Sequence, residues 1–229
     1  CRPAAGVKAA RAVLPRPGGQ GESSSRVYRS VMDDKAVLHH YLRRTREALL
    51  WKLEGLSERD LRLPRTPSGT NLLGLAKHVA LVQAGYFGSV FGRPSPDEAW
   101  GDDDDPNADL YATASETPDD IRDLYARCAA HADATIETLE LDAVGEVPWW
   151  PADRRHPTLL RVLVHVITDV SRHAGHADIL REGIDGATGL QEGHANIPAG
   201  YDWPGYVDSL TALADGVEAA GAGPREEGQ

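Results

Sequence analysis

Apolar residues recur at helical spacing in four long segments, and this pattern restricts the fold more than any other feature of the sequence. The segments run from Asp33 to about Leu56, from Asn71 to about Phe91, from Thr117 to about Leu139, and from Thr158 to Glu182, just before Gly183. Each begins at or beside a residue that caps helices, and no strand-like alternation of comparable strength is present. We therefore predict an all-α fold, a four-helix bundle with one long crossover loop and a short C-terminal helix.

The two ends of the chain differ from the helical segments. The first thirty residues hold six basic residues against one acid, Glu22, together with proline, glycine and a serine run. We interpret residues 1–31 as a disordered basic arm and expect the folded protein to begin near Met32, directly before the first helical pattern. Residues 32–212 are predicted to form the bundle domain, and residues 213–229 a flexible tail.

Charge and cysteine content narrow the class of protein. The formal net charge is −11, which argues against nucleic acid or an anionic membrane as the main partner. No apolar run reaches the length needed to span a bilayer. Cys1 is terminal and Cys128 lies on an apolar helical face. We therefore expect no disulfide framework, a cytoplasmic location, and a core position for Cys128 rather than a nucleophilic one. A homodimer is left open.

Four consecutive aspartates, Asp102 to Asp105, lie in the crossover loop. A calcium loop of the EF-hand type needs alternating ligand positions and a closing glutamate, which this run lacks. We interpret the run as a solvated acidic loop rather than a calcium site.

The fourth helical segment carries a polar stripe inside its apolar face. With His165 set at zero, His176 lies at about 20°, Asp169 at about 40° and His173 at about 80° around the helix. Apolar side chains such as Val166 lie at neighbouring angles. Burying such polar groups without partners costs several kcal/mol, so they must be satisfied by one another, by water or by a metal.

Asp169 and His173 are four residues apart, which puts two ligands on the same side of a cation. One helix rarely supplies a complete site, and His78 of the second helical segment is the candidate partner, with Gly74 leaving room on the same face. Two imidazoles and a carboxylate suit a divalent transition metal with open positions. Spacing alone leaves a metal site and a hydrogen-bonded polar cluster equally open. The remaining histidines are interpreted as surface residues or local contacts: His39, His40, His131, His156 and His194.

Four stretches of the chain resemble the DinB-like superfamily, which includes the mycothiol-dependent maleylpyruvate isomerases and related bacterial thiol transferases. These stretches are "LLGLAKHVA", "NADLYATASETPDDIRDLY", "VPWWP" and "LVHVITDVSRHAGHADILREGIDG". The last is the most specific, and together they cover nearly all of residues 33 to 190. The resemblance implies a bundle whose metal is held by one histidine of helix two and two ligands four residues apart in helix four.

Mapped onto this chain, the ligands implied by the resemblance are His78, Asp169 and His173. The first ligand of helix four is usually histidine or glutamate in the family, so the shorter aspartate is expected to bind less closely or through water. His165 and His176 are expected to support the ligands or to replace a weak one. The implied metal is zinc or nickel, with iron as an alternative.

The chemistry that the resemblance implies is the activation of a small thiol, mycothiol or a similar compound. Binding to a metal lowers the pKa of the thiol, and the thiolate attacks a small electrophile in an S-transfer or an isomerisation. Trp149 and Trp150 are candidate pocket walls, and Arg154, Arg155 and Arg172 are candidate partners for a carboxylate of the low-molecular-weight thiol. Two alternatives stay open: an iron enzyme with two histidines and one carboxylate, and a non-catalytic DinB-like stress or interaction protein with a degenerate metal site.

Overall fold

The computed structural model describes residues 33–97, 105–195 and 197–221. The helices are α1 (Asp34–Trp51), α2 (Glu58–Arg62), α3 (Leu72–Phe87), α4 (Pro118–Thr138), α5 (Leu159–Asp185) and α6 (Trp203–Gly221), with one 3₁₀ turn at Ser89–Phe91. These residues contain no β-strand, so the prediction of an all-α bundle is confirmed. The predicted basic arm, residues 1–31, and Asp102 to Asp104 of the acidic run lie outside the described residues.

Four of these helices, α1, α3, α4 and α5, form the bundle. α3 packs most extensively against α4, α1 packs against α5, and α3 also contacts α5. Complete burial of a large apolar side chain contributes roughly 1.5–3 kcal/mol, so this core dominates the stability of the fold. Its fully buried side chains come from all four helices and include Leu42, Leu49, Val79, Phe87, Ile121, Tyr125, Val162 and Val166.

The helices α3, α4 and α5 each begin at a residue whose side chain caps the helix. The Asn71 side chain accepts from the Gly74 amide at 2.7 Å, and Thr158 caps α5. Thr117 and Asp120 form a reciprocal capping box at the start of α4. Each cap satisfies amide groups that the first helical turn leaves without a partner. The predicted starts of these helices are confirmed.

Several helix ends differ from the sequence prediction. α5 continues through Gly183 and ends at Gly186, which adopts the left-handed conformation with φ 77°. A mid-helix glycine costs about 1 kcal/mol relative to alanine, and the ion pair of Arg181 with Asp185 at 2.8 Å supports the extra turn. α1 ends at Trp51, and the short helix α2 after it was not predicted.

The last helix is longer than expected. α6 runs to Gly221, past residue 212, where the flexible tail was predicted to begin. Its sequence "LTALADGVEAA" is rich in alanine and leucine, which favour helix strongly enough to carry the helix onward. No helix in the described ranges is long and apolar enough to cross a membrane.

A buried arginine ties the end of α1 to α5. Arg181 donates hydrogen bonds to the carbonyl oxygens of Lys52 at 3.1 Å and Glu54 at 2.7 Å. The last carbonyl groups of a helix lack partners within it, so a cation there satisfies them and complements the helix dipole. Beside it, the buried Lys52 pairs with Asp178 at 2.8 Å. These contacts fix α5 against α1 and so hold its polar stripe toward α3.

Candidate metal centre

α3 and α5 run antiparallel, and their facing polar residues meet in pairs. The ring centroids of His78 and His173 lie 4.8 Å apart, and those of Tyr86 and His165 lie 4.9 Å apart. The two residues of α3 are eight positions apart, and their partners on α5 are eight positions apart in the reverse order. The polar stripe of α5 therefore faces one side of α3 over two helical turns.

His78, Asp169 and His173 form the candidate metal centre. One ligand atom from each lies within 4.8 Å of the other two, and this is the single such group of three among the residues the structure describes. The side chains of His78, Asp169 and His173 are 21%, 28% and 16% exposed, so the site is half-buried and still open to small molecules. The structure thus brings together the three residues singled out from the sequence; that they bind a metal stays a prediction.

Two polar atoms of this centre are buried without a partner among the described residues, Asp169 Oδ2 and His173 Nδ1. The other contact between these residues, His173 Nε2 to Asp169 Oδ1, is 3.6 Å, which is too long for a hydrogen bond. Leaving such atoms buried and unsatisfied costs about 1–3 kcal/mol each. A divalent cation accepts lone pairs from imidazole and carboxylate together, so the residues present fit a metal.

The charge state of Asp169 suits a cation as well. Burial disfavours its ionised form, but the neighbouring His173, then His78 and His165, outweigh that effect and lower the pKa of Asp169. The carboxylate is therefore ionised at neutral pH and available as a ligand. Partial burial, and after it His173 and Arg172, lowers the pKa of His176.

Asp109 is a functional candidate that the sequence analysis missed. Its Oδ2 lies 2.6 Å from Nδ1 of His78, and an ionised carboxylate accepts, so Nδ1 carries the proton. Nε2 of His78 is then left as the ligand nitrogen. Carboxylates orient metal-binding histidines in this way in many proteins. Asp109 lies 31 residues from His78 in a loop, so no helical spacing relates them; its place in "NADLY", one of the resembling stretches, is the only signal.

Gly74 allows the loop that carries Asp109 to approach α3. A Cβ atom at Gly74 would lie 1.8 Å from the carbonyl oxygen of Leu110, a distance that no side chain could occupy. The same oxygen accepts from Nδ2 of Asn71 at 3.3 Å. The room expected beside Gly74 is thus filled by loop backbone, one helical turn before His78.

His165 lies beside the centre but not in it. Its Nε2 is hydrogen-bonded to Oη of Tyr86 at 3.0 Å. Trp149 and Trp150 donate their indole N–H groups to the same oxygen at 3.4 and 3.1 Å. Trp149 and Trp150 thus anchor the loop before α5, and a cavity of about 450 Å³ opens beside the packed rings of Trp150 and His165.

The remaining predicted residues lie outside the group of three. The His176 ring packs edge-on against His173, with centroids 5.4 Å apart. Arg172 is exposed, whereas the cavity beside His165 is lined by Arg154 and another arginine, Arg161. Cys128 is fully buried, and burial raises the pKa of its thiol to about 12. Its predicted core position is confirmed, and a thiolate there is excluded near neutral pH.

Comparison with known proteins places the chain in a family. The family model described as mycothiol-S-transferase matches residues 37–186, a segment that contains α2 to α5 and all of α1 except its first three residues. A crystal structure of a conserved protein from Enterococcus faecalis is similar, with a TM-score of 0.52 and 18% sequence identity. The similarity covers 69% of this chain and 100% of that one, and at this identity it shows the fold alone. A search of curated protein sequences found no match. Since the family model spans well over half of its length, the chain belongs to the mycothiol S-transferase family, which is DinB-like.

Proposed function

We propose that this protein is a metal-dependent S-transferase that joins a low-molecular-weight thiol, mycothiol or a close analogue, to a small electrophile. The observation that carries the proposal is the group of His78, Asp169 and His173, with buried atoms of Asp169 and His173 that have no partner in the described ranges. Family membership supports the thiol as the second component. The isomerase chemistry implied by the resemblance is the same first step followed by loss of the thiol.

The chain's own residues have distinct parts in this proposal. His78, Asp169 and His173 would hold a divalent ion, zinc or nickel, with Asp109 orienting the first of them through Nδ1. When bound, such an ion supplies Lewis acidity that makes a thiolate available near neutral pH. No protein cysteine is needed, which agrees with the buried position of Cys128.

The overall reaction balances without an oxidant or a reductant. The thiol gives up its proton, its sulfur forms a bond to an electrophilic carbon, and the displaced electron pair leaves with a leaving group or moves into the substrate. His165 is exposed and hydrogen-bonded to Tyr86. Its imidazole lies one helical turn from Asp169, because the two residues are four positions apart on α5. It would orient the incoming substrate or carry the proton released by the thiol.

Two imidazoles and one carboxylate are also the donor set of non-haem iron enzymes. That donor set is the specific observation that favours iron as a second candidate. An iron enzyme would bind iron stoichiometrically and would lose activity in air. A non-catalytic member of the fold would bind metal weakly and turn over no thiol.

The test is metal analysis of the full chain purified without a histidine tag, followed by thiol conjugation. We expect about one zinc or nickel per chain. Adding metal should raise the melting temperature, because a free metal concentration of 100 times the dissociation constant adds roughly 2–3 kcal/mol to the free energy of unfolding. Mycothiol should then be conjugated to monobromobimane faster than in the absence of protein.

The variants His78→Ala and His173→Ala should lose both the metal and the turnover while keeping their helical content. His40→Ala is the matched control, because His40 is exposed on α1, away from the centre. A chain that binds no metal, or a His78→Ala variant that conjugates thiol as fast as the parent, would refute the proposal. Stoichiometric iron without thiol turnover would favour the iron enzyme.

A further inference from the structure

We propose that the cavity beside His165 binds a carboxylate of the electrophilic substrate, held by the guanidinium groups of Arg154 and Arg161. Anion binding depends only on the cavity, and its assignment to the substrate rests on the proposed S-transferase function. The cavity has a volume of about 450 Å³, within the range of roughly 300–1,000 Å³ typical of small-molecule sites.

The lining of the cavity combines an apolar wall with two cations. The ring of Trp150, Pro151 and Val164 form the apolar part, and Arg154, Arg161 and His165 the polar part. No acidic side chain from the described part of the chain lines it. In a protein with a net charge of −11, a cavity whose charged lining groups are arginines is a selective place for an anion.

Among the described residues, the two arginines lack the close ion-pair partners that several other arginines of the bundle have. Arg161 forms no ion pair within the described ranges, and Arg154 has only a 3.9 Å contact with the adjacent, exposed Asp153. By contrast, Arg127 pairs with Asp97 at 2.9 Å. A guanidinium carries five hydrogen-bond donors in a planar arrangement that matches a carboxylate. The guanidinium groups of Arg154 and Arg161 therefore have donors available for a bound carboxylate.

Arg161 is also held in place before any ligand arrives. Its guanidinium lies over the ring of Trp150, 5.5 Å from the ring centroid, a cation–π contact that restricts its rotamers. It sits in the first turn of α5, where the helix dipole is unfavourable to a cation. A bound anion would be attracted by the dipole and the two guanidinium groups together, and it would relieve that unfavourable arrangement.

The position of the cavity fits a substrate of the proposed reaction. Arg161, His165, Asp169 and His173 follow one another at four-residue steps along α5. At 1.5 Å per residue, Arg161 lies about 12 Å from Asp169 along the helix axis, with His165 between them. Helical side chains lean toward the N-terminus of the helix, so a substrate would extend past His165 to place its carboxylate at the arginines and its reactive carbon toward the metal centre. The aromatic wall of the cavity and its two guanidinium groups together favour an aromatic carboxylic acid as the substrate.

The test uses benzoate and benzamide, two probes of the same shape that differ in charge. Binding to the full chain, as purified and after treatment with EDTA, is followed by quenching of tryptophan fluorescence and by calorimetry. We expect benzoate to bind at least about tenfold more tightly than benzamide, as a charge-assisted bidentate contact allows. The preference should survive metal removal, so it can be scored even if the proposed function fails.

Arg154→Ala and Arg161→Ala should each reduce the preference for benzoate, and the double variant should abolish it. Arg161→Lys should restore part of it. Arg59→Ala, at an exposed position on α2, should leave it unchanged, and circular dichroism should show intact helices throughout. Equal binding of the two probes, or a preference that persists in the double variant, would overturn the site.

The assignment to the electrophile is tested by turnover. Thiol conjugation is compared for N-ethylmaleimide and for the maleimide that carries a propionate in place of the ethyl group. The carboxylate substrate should have the higher kcat/KM, and the double arginine variant should lower kcat/KM more for the carboxylate substrate than for N-ethylmaleimide, so that the advantage disappears. Inhibition by benzoate that competes with the thiol instead of the electrophile would overturn the assignment while leaving the anion site standing.

Discussion

Two histidine–aspartate pairs among the described residues have almost the same length, and they lie in different electrostatic surroundings. In one, His39 of α1 contacts Asp133 of α4 at 2.7 Å. In the other, His78 of α3 contacts Asp109 of the crossover loop at 2.6 Å. By distance alone the two would be indistinguishable, and the difference between them lies in what surrounds each carboxylate.

The first pair is balanced by cations. Asp133 Oδ1 also accepts from the buried Arg46, and Asp133 Oδ2 lies 3.2 Å from Nε of Arg43. Both oxygens of Asp133 are therefore occupied. His39 is buried and contacts a residue on another helix, so its interpretation as a surface or local contact was wrong. Its spacing carried no sign of this, because the partner lies on α4.

The second pair lies beside unsatisfied ligand atoms instead of cations. Near His78 the structure places Asp169 and His173, each with a buried atom that lacks a partner in the described ranges. A candidate metal centre is thus recognised by ligand atoms that have no hydrogen-bond partner. A histidine–aspartate pair by itself is equally compatible with a structural hydrogen-bond network.

The largest expected contrast is in stability. Asp133→Ala should reduce the free energy of unfolding by about 3–5 kcal/mol, because it leaves the buried Arg46 without its carboxylate. Asp169→Ala should change it by less than about 1 kcal/mol in metal-free protein, because the weak attraction of His173 at 3.6 Å is offset by the buried Oδ2 that has no partner among the described residues. Urea unfolding in EDTA measures both. Equal losses would show that Asp169 is structural and would remove the distinction between the two regions.

Two glycines test how the second pair is assembled. Gly74→Ala should destabilise the protein by about 1–3 kcal/mol, because its Cβ would displace the backbone of Leu110 and with it Asp109. Gly175→Ala is the matched control, since a Cβ there meets open space among the described residues. It should be neutral or stabilising by up to about 1 kcal/mol through helix propensity. Thermal unfolding distinguishes them, and two unchanged melting temperatures would contradict the close approach of the loop.

Asp109→Asn should weaken zinc binding by about 10- to 100-fold, as the loss of a carboxylate behind a ligating histidine does elsewhere. The free energy of unfolding of the metal-free protein should change little, because the pair is partly exposed. Competition with a chromophoric zinc chelator measures the affinity. Asp105→Asn, in the same loop and hydrogen-bonded to Tyr111, should keep the parent affinity; a parallel loss there would indicate a general effect of the loop.

The smallest effect concerns pH. Burial opposes the ionisation of Asp133, but Arg46 and His39 outweigh it and lower its pKa. A lowered folded-state pKa contributes stability above the unfolded value of about 3.9, and the contribution is lost as pH falls through the folded value. The stability advantage of the parent over Asp133→Asn should therefore be full at pH 6 and shrink below about pH 4. Urea unfolding at pH 6, 4 and 3 measures it, and a difference independent of pH would contradict the charged pairing.

Local spacing alone determined much of this protein. The positions of α3, α4 and α5 follow from apolar periodicity and from caps such as Thr117, because both are set within a few residues of the chain. The arc of Asp169 and His173 followed from the same rule, since residues four apart share a helix face. His78 required a second helix and was inferred from the room that Gly74 leaves on the same face and from the family resemblance.

Only the tertiary structure decided which polar groups have partners and which have donor or acceptor atoms available for a ligand. The contact of Asp109 with His78 depends on the path of a loop. The pairing of both oxygens of Asp133 depends on which helix faces α4. That Arg161 has no ion pair within the described ranges depends on where acidic residues distant in sequence lie in the fold. Such facts arise from contacts between residues distant in sequence, whereas helical periodicity reports only on neighbours. The sequence therefore determined the helices and the ligand types, and the packing of the bundle decided which of those ligands face one another.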